Sequence, residues 1–351
     1  MNTVSEPVVS VVTPVYNGAR YLAECIESVL AQTHRNLEYI IVDNCSTDST
    51  PEIASQYAQR DHRIRIVTNE HFVGVIENHN IAFSLISGES KYCKVLAADD
   101  YLLPECIQKL VDMAERNPRA AIVESYAISD NGVPWIGLPP HRSVFEGREV
   151  CRLYLLGAIE AFGTPSSVLY RSTAVRERRD FYPGPLPNAD LAACLICLES
   201  ADYAFVHQIL SYRRIHSEAI SADVHALDGF LTDRLQFVCE YGPTYLRSDE
   251  ISSRREELLR TIYRYFALGV VHMRGKEYWS YHRGRLKAFG EQISGVRIAA
   301  AVCTKVADLV FNPKQTIGKL LRHLAKPRSP FGRRTDKDCF SPENTIHGTG
   351  V

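Results

Sequence analysis

Two adjacent carboxylates, Asp99 and Asp100, stand directly after the apolar run YCKVLA. Like charges this close repel one another unless a cation or a set of hydrogen-bond donors compensates. The pair reads either as a place for a hard cation or a phosphate partner, or as a solvated turn. Three more polar segments hold the same place in the chain: TPVYN, DNCSTD and TNEHFVG. Each follows what reads as the carboxyl end of a strand, the edge at which open α/β sheets bind ligands. Simple turn formation by Asp, Asn, Thr and Gly accounts for DNCSTDS as well, but it accounts poorly for AADD.

What such an edge would bind is narrowed by what is absent. No GxGxxG follows the first strand, and neither GxxxxGK[ST] nor HExxH occurs anywhere. Rossmann dinucleotide and P-loop triphosphate readings therefore lack their glycine cradle. A crevice in which carboxylates handle phosphates calls for a bridging divalent cation, Mg²⁺ or Mn²⁺, able to neutralise a diphosphate leaving group. Cys194 and Cys197 form a CxxC, but inside the helical-looking run DLAACLICLESA with no second pair nearby, so they read as core thiols rather than zinc or redox ligands.

The elements that must position these residues alternate. VVSVVT is a continuous β-branched run of a strand covered on both faces, and apolar residues at helical spacing predict a helix from about Ala19 to Gln32. EYIIVD, RIRIV, YCKVLA and AAIVES read as further strands. TPEIASQYAQ, IENHNIAFSLIS and PECIQKLVDMAERN read as helices, with Pro51 and Pro104 at two starts. The fold class is α/β: a mostly parallel sheet flanked by helices, with a C-terminal helical extension.

The stretch VVSVVTPVYNGARYLAECIESVLAQTHRNLEYIIVDNCSTDST resembles the N-terminal signature of the family 2 glycosyltransferases, inverting enzymes with a GT-A fold. The resemblance runs on through VGVIENHNIAFSLISGESKYCKVLAADDYLLPECIQKL and DLAACLICLESADYAFVHQILSYRRIHSEAIS, and so spans about Val8 to Ser221. It implies that Thr13, Pro14, Tyr16 and Asn17 line a nucleotide pocket. Asp43 would bond the base, with Asn44 where relatives carry a second acid. Asn80, following Gly74 in the family's pattern, and Asp99 join the nucleotide-binding set; helix capping is an alternative for neighbouring Asn78. The family's DxD would span Ala97 to Asp99, so its first acid is missing. Asp99, Asp100 and, in SYRRIH, His216 would contact a divalent metal, with Arg213 or Arg214 adding charge. PNADLAACL resembles the segment that supplies the general base, Asp190, with Ala189 where a Glu is usual. The alternative for Asp190 is a helix N-terminal acid favoured by the dipole. Gly163, Thr164, Pro165 and Ser166 match the family's acceptor side, or else make an ordinary turn before the strand SVLY.

The chain has 351 residues, with 40 Lys and Arg against 41 Asp and Glu and 45% hydrophobic residues. This composition disfavours wholesale disorder and a strongly basic nucleic-acid binder. No apolar run reaches about 18 residues, and the start lacks a basic n-region, so the chain is expected to stay in the cytosol. We expect residues 1–226 to form the catalytic domain, 227–332 a helical region and 333–351 a disordered tail. The 314–326 segment, KQTIGKLLRHLAK, is either a packed or solvated helix or a peripheral contact with an anionic cytoplasmic leaflet. The resemblance implies an inverting transfer from a nucleotide-diphospho-sugar to a hydroxyl of a glycan or lipid-linked acceptor in surface polysaccharide assembly. Ala97 and Ala189 keep a degenerate sugar-nucleotide-binding scaffold in play. A sugar nucleotidyltransferase would need a Gly-rich basic phosphate loop, which TPVYNGARYL does not supply.

Overall fold

The computed structural model describes residues 6–133, 138–184, 188–216 and 227–311, with side chains to residue 307. Its centre is a nine-stranded sheet in the order β3-β2-β1-β4-β8-β6-β9-β5, with β7 paired to β9. The strands are β1 (Val9–Val15), β2 (Leu37–Asp43), β3 (Ile64–Thr68), β4 (Tyr92–Val95), β5 (Tyr101–Leu102), β6 (Ala120–Ile128), β7 (Val144–Glu146), β8 (Val168–Arg171) and β9 (Asp202–Tyr212). The long ladders β1–β2, β2–β3 and β6–β9 are parallel, whereas β8 enters antiparallel between β4 and β6. The sheet is thus mixed and mostly parallel.

Every residue of β1 is buried, as its unbroken β-branched run requires of a strand covered on both faces. Helix α1 (Leu22–Leu30) buries Leu22, Cys25, Ile26 and Val29. Helices α2 (Thr50–Ala58), α3 (Val75–Ser84) and α4 (Cys106–Arg116) follow in alternation, α4 burying Cys106, Ile107, Leu110, Val111 and Ala114. The core joins α1 and α4 to residues of β1, β2, β4, β6, β8 and β9.

Register sets the ligand-facing edge. Val15 pairs with Asp43 and Asp43 with Thr68, so the first three strands end side by side. Leu96, just past β4, bonds back to Val12. The four polar loops therefore leave one edge of the sheet. Gly18 allows this closeness, because a Cβ there would stand 2.6 Å from Val15 Cγ2 and 3.6 Å from Ala98 Cβ.

Elements that periodicity did not announce are the short β5 and β7, α5 (Gly147–Leu155) and α6 (Ser172–Arg176). Helix α7 (Ala189–Cys197) carries the CxxC with both thiols buried. Beyond residue 227 the described residues are mainly helical, as anticipated: α8 (Phe230–Tyr245), α9 (Ser248–Val271), α10 (Lys276–Ala288) and α11 (Gly295–Phe311). The chain gathers into two compact units. One comprises 1–262 with 277–292 and contains the whole sheet; the other comprises 263–276 with 293–351, and in its described part Ser294 N–H donates to Tyr263 Oη at 2.9 Å. Among the described residues no helix is long and apolar enough to cross a membrane. The 314–326 segment and the 333–351 tail lie outside the described residues.

Candidate active site

The loops after β1 and β2 are tied to one another residue by residue. Asn17, at φ 49°, accepts the Thr47 amide on Oδ1 at 2.8 Å, while its own amide donates to Ser46 Oγ at 2.9 Å. Gly18 N–H donates to Thr50 Oγ1 at 2.8 Å and Ala19 N–H to Asp48 Oδ2 at 3.1 Å. Asp43 is buried and accepts the Ser46 amide at 3.2 Å. Thr13 is fully buried, with its hydroxyl 3.1 Å from Tyr39 Oη, and Pro14 is buried too, so these two shape the edge through their backbone. Tyr16 is the side chain that reaches out: it is 48% exposed and meets Phe72, 59% exposed, edge to face at 4.8 Å. Two exposed rings side by side offer a stacking surface for a base. Phe72 was not singled out from sequence, although an aromatic inside the polar segment TNEHFVG was the available signal.

Asn44 and Asn80 are engaged elsewhere. Asn44 is buried and zips down the next loop, donating to Val73 O at 2.9 Å and accepting from the Val73 amide at 3.0 Å and from Asn69 at 2.9 Å. Asn80 exchanges two 2.8 Å hydrogen bonds with the backbone of Tyr182. Both residues hold loops in place.

After β4 the two carboxylates part. Asp100 turns inward and is 4% exposed. Its Oδ2 accepts Ser166 Oγ–H at 2.6 Å and its Oδ1 the Arg214 amide at 2.9 Å. Burial first, and then the neighbouring Asp99 charge, push its carboxyl up to about 7. Asp99 stays partly exposed, and its Oδ2 lies 2.9 Å from His216 Nε2. The segment after β9 that delivers His216 is clamped by Arg214. Its guanidinium donates to Asp99 O at 2.6 Å, pairs with Glu24 and lies 4.6 Å above the Tyr21 ring.

Among the described residues no three His, Cys, Asp or Glu side chains converge. Two do, Asp99 and His216, and the other imidazole nitrogen, Nδ1, is buried without a partner among the described residues. One carboxylate and one imidazole beside an open edge fit a Mg²⁺ or Mn²⁺ ion that takes its other ligands from phosphate and water. Asp100, with both oxygens already accepting protein hydrogen bonds, is placed behind this pair.

The 160–167 segment is held from below by two buried charges. Glu124, 2% exposed in β6, accepts the amides of Phe162 at 3.1 Å and Gly163 at 2.5 Å, Ser167 Oγ–H at 3.2 Å and Tyr203 Oη–H at 2.6 Å. These bonds fix Phe162 at φ 63°, a left-handed conformation that a side chain of this size adopts only under compulsion. Lys94, fully buried in β4, donates to the carbonyls of Val95 at 3.1 Å, Ser166 at 2.5 Å and Val168 at 3.0 Å, and burial brings its ammonium down to about 8. Thr164 is buried with its hydroxyl unpartnered among the described residues, and Pro165 opens a short 3₁₀ turn, Pro165–Ser167. Ser166 joins this segment to the AADD turn, accepting the Ala97 amide at 3.2 Å while donating to Asp100.

Asp190 lies in the first turn of α7, partly exposed, where the helix dipole favours a negative charge. Burial nonetheless raises its carboxyl above the usual aspartate range, against the lowering effects of backbone amides and Arg213. A carboxylate with greater proton affinity at a helix start suits a general base.

Residues 10–179 match the family described as "Glycosyl transferase family 2". Glycosyltransferase GlyG of Streptococcus pneumoniae serotype 4 is 33% identical over 118 residues, 34% of this chain and 38% of that protein. Glycosyltransferase GlyA of the same organism is 31% identical over 247 residues, 67% of this chain and 35% of that protein. The chain thus spans little more than a third of the length of these two curated relatives. Among solved structures, S. aureus TarS 1–349 in complex with UDP-GlcNAc has a TM-score of 0.60 at 16% identity, covering 88% of this chain and 87% of that one. Mannosyltransferase PcManGT of Pyrobaculum calidifontis, in complex with GDP-Man and Mn²⁺, has a TM-score of 0.52 at 15% identity, covering 92% and 86%. At such identities the likeness is one of fold.

Proposed function

Through residues 10–179 the chain belongs to glycosyl transferase family 2, and we propose that it moves a sugar from a nucleotide-diphospho-sugar to a hydroxyl of a glycan or lipid-linked acceptor, with inversion. The observation that carries this reading is the pairing of Asp99 with His216 at 2.9 Å, across 117 positions of chain, at the edge where β1, β2 and β4 end. The nucleotide would lie over Thr13, Pro14, Tyr16 and Asn17, with Asp43 toward the base and Phe72 extending the aromatic surface. Asn44 and Asn80 act on that pocket through the loops they hold.

Asp99 and His216 would hold a divalent cation, which when bound neutralises charge on the departing diphosphate. Asp190 takes the proton of the acceptor hydroxyl as its oxygen attacks the anomeric carbon from the face opposite the diphosphate. The carbon–oxygen bond to the diphosphate then breaks, and the nucleotide diphosphate leaves. Gly163, Thr164, Pro165 and Ser166 bound the acceptor side. Asp100 ties that segment to Asp99, so the two halves of the reaction share one hydrogen-bonded frame.

We take residues 1–226 as the family-like catalytic part, and a cytoplasmic protein whose basic 314–326 segment meets an anionic membrane as the setting that suits a lipid-linked acceptor. In support stands the charge of the 314–326 segment, where Lys314, Lys319, Arg322 and Lys326 have no acidic neighbour.

Calorimetry of UDP, GDP and dTDP with and without Mn²⁺, followed by hydrolysis assays on the corresponding donors, tests the reading. Metal-dependent binding of one nucleotide and release of that nucleotide from its sugar donor are expected. Metal-dependent binding with no turnover of any donor would point to a degenerate sugar-nucleotide-binding scaffold, the reading that Ala97 and Ala189 leave open.

A further inference from the structure

Asn188 precedes α7 at the position where Asn normally caps a helix with its own side chain, yet it makes no such cap. Its amide nitrogen instead donates to Asp233 Oδ2 at 2.8 Å, on α8, 45 residues further along. The other oxygen of Asp233 accepts from Arg285 of α10, which also donates to Gln236 Oε1 at 2.6 Å. Asp233 and Arg285 are nearly enclosed, with side chains 5% and 19% exposed. Two more contacts run from the same helix. Arg234, next to Asp233, pairs with Glu160 at 2.9 Å, three residues before Gly163. Tyr245, at its far end, donates to the Leu195 carbonyl of α7.

A buried ion pair is a poor means of holding two helices together, because desolvation consumes most of the Coulombic gain and an apolar pair of similar volume does as well. What Asp233 supplies that an apolar residue does not is an acceptor for Asn188. We propose that Asp233, fixed by Arg285, is a positioning residue for glycosyl transfer: through Asn188 it orients the first turn of α7 and with it Asp190. The inference rests on the reading of Asp190 as the base. It makes α8 and α10 part of the catalytic machinery although both lie outside the 10–179 family match, in keeping with the compact unit that joins 1–262 to 277–292.

In Asp233→Asn the amide oxygen can still accept from Arg285, and the new NH2 can donate to Asn188 once that amide turns over, so this variant only weakens the tie by removing the charge, whereas a leucine at 233 removes the tie. The test follows nucleotide release from a panel of UDP-, GDP- and dTDP-sugars, together with nucleotide calorimetry and thermal melting, for four proteins: wild type, Asp190→Asn, Asp233→Asn, and Asp233→Leu combined with Arg285→Met. The last replaces the pair by apolar side chains and keeps the packing. Displacements of about 1 Å cost on the order of 100-fold in rate. We therefore expect the Leu/Met variant to lose at least tenfold in kcat and Asp233→Asn to lose less, with KM for the sugar donor and the nucleotide Kd within twofold of wild type in both and the Leu/Met variant melting near wild type. If Asp190→Asn is inactive but the Leu/Met variant keeps kcat within twofold, the positioning role is wrong and the base stands. A parallel loss of nucleotide affinity in the position-233 variants reduces the pair to a structural one and overturns the role. Near wild-type turnover by Asp190→Asn overturns the base and this inference with it, and a wild type that releases nucleotide from no member of the panel overturns the transferase reading itself.

Discussion

At the proposed nucleotide edge the candidate side chains come from loops that directly follow parallel strands, and the ties between them run from Asn17 and Gly18 to Ser46, Thr47 and Thr50. On the proposed acceptor side each tie spans a longer stretch of chain and most begin at a buried charge: Glu124 to Gly163, Lys94 to Ser166, Asn188 to Asp233. The first region is a frame of short ties between neighbouring loops, set by strand register. The second is irregular backbone, including Phe162 at φ 63°, held in shape by enclosed charges. A nucleotide diphosphate presents the same phosphates and ribose whatever sugar it carries, so one edge geometry serves many donors. Acceptors differ, and an irregular segment can change shape without disturbing the sheet.

If the two regions are built so differently, damage to each should fail differently. The largest effect is expected from Glu124→Gln. A single amide oxygen cannot serve the four hydrogen-bond donors that Glu124 satisfies, and each buried group left unpaired costs about 1–3 kcal/mol. The variant should melt on the order of 5 °C lower or more, and should lose transfer to the acceptor while binding nucleotide as wild type does. Loss of nucleotide affinity in calorimetry would erase the distinction between the two regions. The smaller effect lies on the other side. Phe72→Ala removes one ring of an exposed pair, worth about 0.5–1.5 kcal/mol, and should weaken the nucleotide Kd by roughly two- to tenfold with kcat unchanged. An unchanged Kd would take the aromatic pair out of the nucleotide surface.

The same contrast explains what could be read from the chain. VVSVVT, EYIIVD and RIRIV carry their strands in composition and their loops in the next few residues, so the edge and its residues Tyr16, Asn17, Asp43 and Asp99 followed from pattern and resemblance. His216 came from resemblance, because nothing in spacing joins positions 99 and 216. Lys94 and Glu124 sit inside YCKVLA and AAIVES, where a single charge within an apolar run must find a partner when buried. That signal was present, but it did not name the carbonyls and amides 38 to 74 residues away that answer it. Asp100 looked from sequence like an equal partner of Asp99. Their opposite directions are decided by Ser166 and Arg214, which only the folded chain brings near. Asp233 and Arg285 lay in helices whose pattern announced packing alone, and their tie to Asn188 needs three elements to meet.

In the proposed reaction labour is divided between Asp99, which serves the nucleotide diphosphate and its metal, and Asp190, which serves the acceptor. Nucleotide titration with and without Mn²⁺, paired with turnover, on Asp99→Asn and Asp190→Asn measures this division directly. Asp190→Asn should bind nucleotide with the wild-type metal dependence while turnover falls by at least about 100-fold, the scale of a lost general base. Asp99→Asn should lose the metal dependence of binding. Near wild-type turnover by Asp190→Asn, or undiminished metal-dependent binding by Asp99→Asn, would contradict it.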